Sequence, residues 1–362
     1  MNEKSKLKIT TITPVAIGSG VELSQYADYV IDNNQICFID KKKMQDKIFA
    51  KGDQYLEKYI YGVANGIDNN RSNFDLKNFL LTHKIVNNID EVIYSRCPFI
   101  TDKPEIKLPI KGIIKSPLQE PYFPGSSLKG ALKTILMYNW LKTDKNSAAM
   151  IENVINDKNF DSLEKKFECF VNEEGKLVRP NTIQQVTDSK MLSKDSNIIV
   201  DCFREMQIRF ECINKSKTVE FELTLENYKW EDLAKQANSY AIDCLNREFE
   251  LIDKNEKTNY YHDHLADIED DIMAAKENTA YIRIGFGKGY YLNSLGIAVY
   301  DYVSQNGKED LYDKFERFLK QKFKPELKQK FKSELLLKEF PRTRLYVSKN
   351  QEPLGWIKIE KL

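Results

Sequence analysis

The chain has 362 residues, of which 41% are hydrophobic and 30% charged, and its net charge is +1. That length suggests two domains, each able to bury its own core, and the balance describes a globular chain rather than a disordered one. No apolar run approaches the ~18 residues of a membrane helix; the polar start Met1-Asn2-Glu3-Lys4-Ser5-Lys6 carries no apolar signal core, so the expected compartment is the cytoplasm.

Lys6–Pro14 alternates as a strand and leads into a glycine turn, Ile17-Gly18-Ser19-Gly20. Tyr29–Ile31 and Gln35–Ile39 flank Asn33-Asn34, a pair that tolerates positive φ and so predicts a tight hairpin. Lys41–Tyr61 is helical in pattern; Ile93–Ile100 and Ile110–Lys115 read as strands. Leu128, Ala131, Leu132, Ile135, Leu136 and Trp140 recur at helical spacing over about 127–142. A second helix is expected over roughly 148–171. The polar stretch Glu173–Ser196, with Gly175 and Pro180, suggests a boundary, giving domains at 1–190 and 191–362.

Beyond it, Ile198–Phe203, Met206–Ile213 and Thr218–Leu225 are strand-like, and Asn214–Lys217 is expected to turn the last two into a hairpin. Helices follow at about Trp230–Ile252 and Asp263–Lys276, then a strand at Ala280–Ile284. Further helices are expected at about 292–303 and 309–338, and short strands at Arg344–Val347 and Trp356–Ile359. Hairpins mixed with a few helices in each half predict an α+β chain of two ferredoxin-like, RRM-type domains with helical insertions.

Charge is unevenly spread. Lys314–Lys349 holds twelve Lys/Arg against four Glu, while Asp253–Glu277 holds eight acidic residues against three lysines. A neutral chain can therefore still present a basic face to phosphates. The six cysteines include no C-x-x-C pair, so free thiols are expected and a zinc site is not.

Three constellations could bind an anion. In Phe123–Lys133 (FPGSSLKGALK), Gly125, Ser126 and Ser127 open a helix whose amides suit a phosphate, beside Lys129 and Lys133. The gap from Gly125 to Gly130 fits a P-loop, but Ala131-Leu132 follow where Lys-Ser/Thr is needed, which rejects nucleotide binding. A serine acting only as N-cap is the alternative. In Tyr281–Tyr291 (YIRIGFGKGYY), Gly285, Gly287 and Gly289 allow close backbone approach. Arg283 and Lys288 add charge, and Phe286 and Tyr290 offer stacking faces. The alternative is a plain glycine turn over core tyrosines. Arg342, Arg344 and Tyr346 share one face of a strand, available to RNA or simply solvated.

Catalytic candidates are few. His83, His262 and His264 lie outside these motifs, and His262-Asp263-His264 sits in an acidic linker. Asp28 follows the first glycine turn and has no neighbouring histidine.

Four segments in order resemble the RAMP proteins of CRISPR systems, and among them the family of the fifth Csm subunit of type III-A complexes. They are Ile12–Gly20 (ITPVAIGSG), Phe123–Lys133, Tyr281–Ser294 (YIRIGFGKGYYLNS) and Pro341–Ile359 (PRTR…PLGWIKI). The resemblance implies two RAMP domains, no cofactor, and a non-catalytic subunit capping a filament of backbone RAMP subunits. It would hold the 3′ portion of the crRNA and serve its 3′-end maturation, with trimming by cellular nucleases. Gly18, Ser19 and Gly20 would join the RNA-binding set. Backbone subunits of that family carry a cleaving Asp in this region; Asp28 does not align securely with it. A RAMP endoribonuclease that processes precursor crRNA is the rival, and a cap touching only protein is a third reading.

Overall fold

The computed structural model describes residues 2–69, 74–144, 149–153, 161–172, 174–203, 207–252, 259–287, 297–298, 301–302 and 345–362. The helices expected over 292–303 and 309–338 fall largely outside them.

One sheet draws strands from both ends of the chain. β1 (Asn2–Thr11) lies between β12 (Thr218–Glu226) and β15 (Trp356–Lys361). β9 (Ile183–Val186) extends it beside β12, and β13 (Thr279–Arg283) beside β15, every pair antiparallel. The run β9-β12-β1-β15 has the strand order of a ferredoxin-like unit. Its two crossover helices are α4 (Gly125–Thr143) and α6 (Trp230–Ile252), which pack on each other; α4 also meets β9 and α6 meets β13. Period-2 alternation explains the layering: Leu7 and Ile9 of β1, and Phe221 and Leu223 of β12, join Leu128, Leu132, Ile135, Leu233 and Ala237 in one core. Lys4, Lys6 and Lys8 take the other face and pair with Glu222, Glu220 and Glu360 at 2.8, 2.9 and 3.1 Å. Such exposed pairs contribute at most about 1 kcal/mol each.

The second sheet runs β2-β6-β11-β10-β5-β4-β3. Its strands are β2 (Gly18–Leu23), β3 (Tyr29–Asp32), β4 (Gln35–Ile39), β5 (Ile93–Ile100), β6 (Ile110–Ile113), β10 (Asn197–Phe203) and β11 (Gln207–Ile213). β14 (Tyr346–Val347) adds to β10. Both sheets use residues from either side of 190, so the division expected between 190 and 191 does not separate them. The α+β class is as expected.

The hairpin expected around Asn214–Lys217 does not form. β11 pairs with β10 and β6, whereas β12 pairs with β1 and β9, so this turn carries the chain from one sheet to the other. Thr11 holds it: Ser216 N–H donates to the Thr11 carbonyl at 2.7 Å, and Thr11 Oγ1 donates to Asn214 O at 2.7 Å. The sequence misleads because Arg209 and Glu211 of β11 imitate a solvent-facing row. Both are fully buried, Arg209 against Asp201 and Glu211 against Lys115 and Asn197.

The β3–β4 hairpin is as expected, with Asn33 and Asn34 at φ 47 and 59°. It packs with α1 (Lys41–Lys51), α2 (Asp53–Asn69) and α3 (Leu76–Thr82) around Met44, Ile48, Leu80 and Val92. The single helix expected over 41–61 is two, parted at Gly52, whose φ is 119°. The helix expected over 148–171 shows α5 (Asp161–Glu168) followed by β7 (Phe170–Val171), which pairs with β8 (Leu177–Val178).

This lobe carries two carboxylates with lowered pKa. The Lys47 ammonium, then the Asn88 and Asn87 amides, hold Glu91 at about 2 against an ordinary 4.5. Lys77 and then Arg96 lower Asp32. A carboxylate that is more acidic in the fold stabilises it fully above its unfolded value and loses that contribution as pH falls through the folded value. The melting temperature is therefore expected to fall between about pH 4.5 and 2, and Glu91→Gln to flatten that slope. A melting curve over that range that Glu91→Gln leaves unchanged contradicts this.

Candidate nucleic-acid interface

Three of the four sequence motifs meet at one place. The chain leaves β1 through Pro14–Ile17, and this segment is the hub. Its Pro14 carbonyl accepts from Gly355 N–H at 2.9 Å, and its Ala16 carbonyl accepts from Phe286 N–H at 2.8 Å. Ile284 N–H donates to Gly355 O at 2.8 Å, and Ile114 N–H to Ile17 O at 3.0 Å. Backbone bonds thus knit the first glycine turn, the second glycine loop and the closing segment together.

The glycines are required by this closeness. Gly285 (φ 73°) would place a Cβ 2.2 Å from Ala16 O, and Gly355 (φ 90°) would place one 2.3 Å from Ile284 O. A Cβ on Gly18 would lie 2.7 Å from the Phe286 ring. Phe286 therefore rests on Gly18 and against Phe210, with ring centroids 4.8 Å apart, and keeps 38% of its surface exposed. Next to it the edge strand β2 leaves its ladder with β6 between Gly18 and Glu22, and Gly18 to Glu22 are all exposed. Ser19 Oγ donates to Gly112 O at 3.0 Å and accepts from Val21 N–H, so that hydroxyl braces the bulge. The surface can offer backbone polar groups and one aromatic face, a combination suited to single-stranded nucleic acid.

The other predicted residues fall differently. The Gly125 amide donates to Asp188 Oδ1 at 2.7 Å, and a Cβ there would lie 2.5 Å from Val186 O. A carboxylate of this chain takes the place at the α4 start that the sequence offered to a phosphate; Ser126 stays exposed and Ser127 half-buried. Neither serine caps the helix. Because α4 begins at Gly125, Lys129 and Lys133 lie past its first turn, beyond the reach of the macrodipole's positive end. Lys129 Nζ donates to Gln184 O at 3.2 Å, and Lys133 pairs with Glu168 at 2.6 Å. Arg283 is buried, not presented to solvent. Lys288, Gly289, Tyr290, Arg342 and Arg344 lie outside the described residues.

Sequence reasoning passed over Phe210, Gly112, Leu354 and Gly355 as site residues; only Gly355, in PLGW, carried a local signal. The open face of the ferredoxin-order sheet, where RNA-reading sheets place stacking aromatics, carries the paired Lys and Glu rows instead.

No hydrolytic group stands out among the described residues. Asp28 accepts from Ser24 N–H at 2.6 Å and pairs with Lys41 at 2.5 Å. His83 packs on Phe79, His262 on Phe249, and His264 Nε2 faces Asn350 O at 3.1 Å. Among the described residues no group of three or more His, Cys, Asp or Glu is placed to hold a metal. All six cysteines are free and only Cys169 is exposed. No described helix is long and apolar enough to cross a membrane.

The family model described as the RAMP superfamily matches residues 8–292. A Methanocaldococcus jannaschii protein named CRISPR system Cms protein Csm5 is 27% identical over 403 residues, covering 98% of this chain and 88% of that one. A Streptococcus thermophilus protein of the same name is 26% identical over 260 residues, covering 66% of this chain and 70% of that one. Among solved structures, a chain of a Csm–crRNA–target RNA ternary complex of a type III-A CRISPR-Cas system superposes with a TM-score of 0.67 at 18% identity, covering 99% of this chain and all of that one. The crystal structure of T. onnurineus Csm5 gives 0.61 at 16%, covering 97% and 99%.

Proposed function

Since the chain belongs to the RAMP superfamily, we propose that it is an RNA-binding subunit of a type III-A Csm effector complex, holding crRNA at the joined glycine loops. The observation that carries this reading is the half-exposed Phe286 ring seated on Gly18, beside the bulged edge of β2. Backbone groups around it would follow phosphates and the ring would stack a splayed base, without reading sequence. Lys129 and Lys133 would add charge on the α4 flank, and Lys288, Arg342 and Arg344 in the segments that continue the loops. Its neighbours would be backbone RAMP subunits. Its place would be the 3′ portion of the crRNA, which it would hold for trimming by cellular nucleases, with no chemistry of its own.

Anisotropy with a labelled single-stranded RNA tests this. Affinity should fall by orders of magnitude between about 50 and 200 mM salt, because phosphate contacts release counterions. Phe286→Ala should cost about 1–3 kcal/mol, the worth of one stacked base. The pair Lys129→Ala with Lys133→Ala should weaken binding while the melting temperature holds, since a half-exposed ion pair contributes at most about 1 kcal/mol. Salt-independent affinity, or an unaffected Phe286→Ala, overturns the reading. Metal-dependent RNA cleavage lost on Asp28→Ala would instead establish the endoribonuclease.

A further inference from the structure

We propose that Arg283 is a positioning residue for the glycine loops, acting through the carbonyl of Leu354 and never touching RNA. The inference rests on the reading above for its consequence in RNA binding, though not for the contact itself.

Arg283 ends β13 and its side chain is 1% exposed, as is that of Glu248 on α6. Its Nη1 donates to Glu248 Oε2 at 3.0 Å. Tyr261, on α7 (Asn259–Met273), donates its hydroxyl to Glu248 Oε1 and lies 3.4 Å from Arg283 Nη2. The guanidinium also lies over the Trp356 ring at 5.8 Å. A carboxylate, a phenol and an indole therefore fix the plane of the fork.

The fork's remaining edge meets the site. Nε donates to Leu354 O at 2.9 Å. The next residue, Gly355, bonds both Pro14 O and Ile284 N–H, the two strands of chain that carry the glycine motifs. A Cβ on Gly287 would lie 3.1 Å from Leu354 Cβ, 3.1 Å from Leu354 O and 3.6 Å from Arg283 Nη2. The loop thus sits directly on Leu354, and the arginine sits beneath both. Helices α6 and α7 reach the floor of the loop through this side chain. Lysine has no fork to reach Glu248 and Leu354 together.

The test uses Arg283→Lys and the paired variant Arg283→Met with Glu248→Met. Removing both charges spares the fold an unpaired buried ion, so the pair should melt above Arg283→Met alone while Leu354 O loses its donor. Hydrogen exchange is read at the Phe286 and Gly355 amides, with β1 amides as reference, alongside the RNA affinity of the full chain. The expected result is faster exchange at both loop amides in each variant, unchanged exchange in β1, and RNA binding roughly tenfold weaker, equivalent to one charge-assisted hydrogen bond. Unchanged exchange at Phe286 and Gly355 in a folded variant overturns the proposal. So does Arg283→Lys binding RNA as the parent does, the mark of a direct phosphate contact that any cation fills. If the parent itself binds no RNA, the RNA-binding reading fails, and the exchange pattern alone decides the clamp.

Discussion

Arg209→Met is expected to lower the unfolding free energy by about 3–5 kcal/mol, seen as a large fall in the urea midpoint. Arg209 and Asp201 have no exposed side-chain surface. They meet through two bonds, Nε to Oδ1 at 2.6 Å and Nη2 to Oδ2 at 3.0 Å. Arg209 also donates to Tyr29 Oη at 3.1 Å and Ile106 O at 3.2 Å, and it covers the Phe99 ring at 4.5 Å. Methionine fills much of that volume but leaves the Asp201 carboxylate buried without its cation. Thr101 and Gln207 still donate to it, at 2.5 and 2.9 Å, which offsets only part of the cost. Adding Asp201→Asn should recover stability, because a neutral amide removes the stranded charge. A single variant within about 1 kcal/mol of the parent would show that the pair is energetically neutral here.

Gly285→Ala is expected to cost stability and to weaken RNA binding by at least about tenfold. The forced φ of 73° alone costs about 1–3 kcal/mol in a residue with a side chain. The added methyl also has nowhere to go, since it would meet Ala16 O, the acceptor that seats Phe286. Gly20→Ala isolates the first contribution: Gly20 has φ 81° and no atom within 4 Å of its would-be Cβ. Melting should therefore drop further for Gly285→Ala than for Gly20→Ala. Equal drops would mean the loop yields to the methyl without strain.

What the sequence disclosed and what it concealed follow from how far apart the interacting groups lie. Asn33-Asn34 announced a hairpin because the turn is decided by its own two residues. The helix over Trp230–Ile252 is legible because one apolar stripe and its polar flanks define it. Met206–Ile213 is equally legible as a strand, yet the turn at Asn214–Lys217 points it to the wrong partner. Its charged row is neutralised by Asp201 and Lys115, and nothing local marks those as mates. Arg283 failed as a surface ligand for the same reason. A cation beside three glycines reads as a phosphate contact, while the carboxylate that buries it is thirty-five positions upstream on a helix. Gly125 does open a helix, as its sequence implies, but the anion at that opening is Asp188, sixty-three residues later. The four motifs were visible one by one; the meeting of three of them depends on β1 lying between β12 and β15.

That placement of β1 also governs how the molecule comes into being. β1 finds its neighbours only at residues 218–226 and 356–361. Until the second of these has been made, the sheet has an unsealed edge and the Pro14–Ile17 hub lacks Gly355. Native contacts of such sequence separation make folding slow, since long loops must close before any pairing rewards them. Refolding on a timescale of the order of seconds is expected, with partly built sheets prone to associate. A single millisecond phase in stopped-flow refolding would argue that the core forms without the terminal strand. The binding surface would then be among the last parts of the molecule to exist, completed only after its scaffold has closed around both ends of the chain.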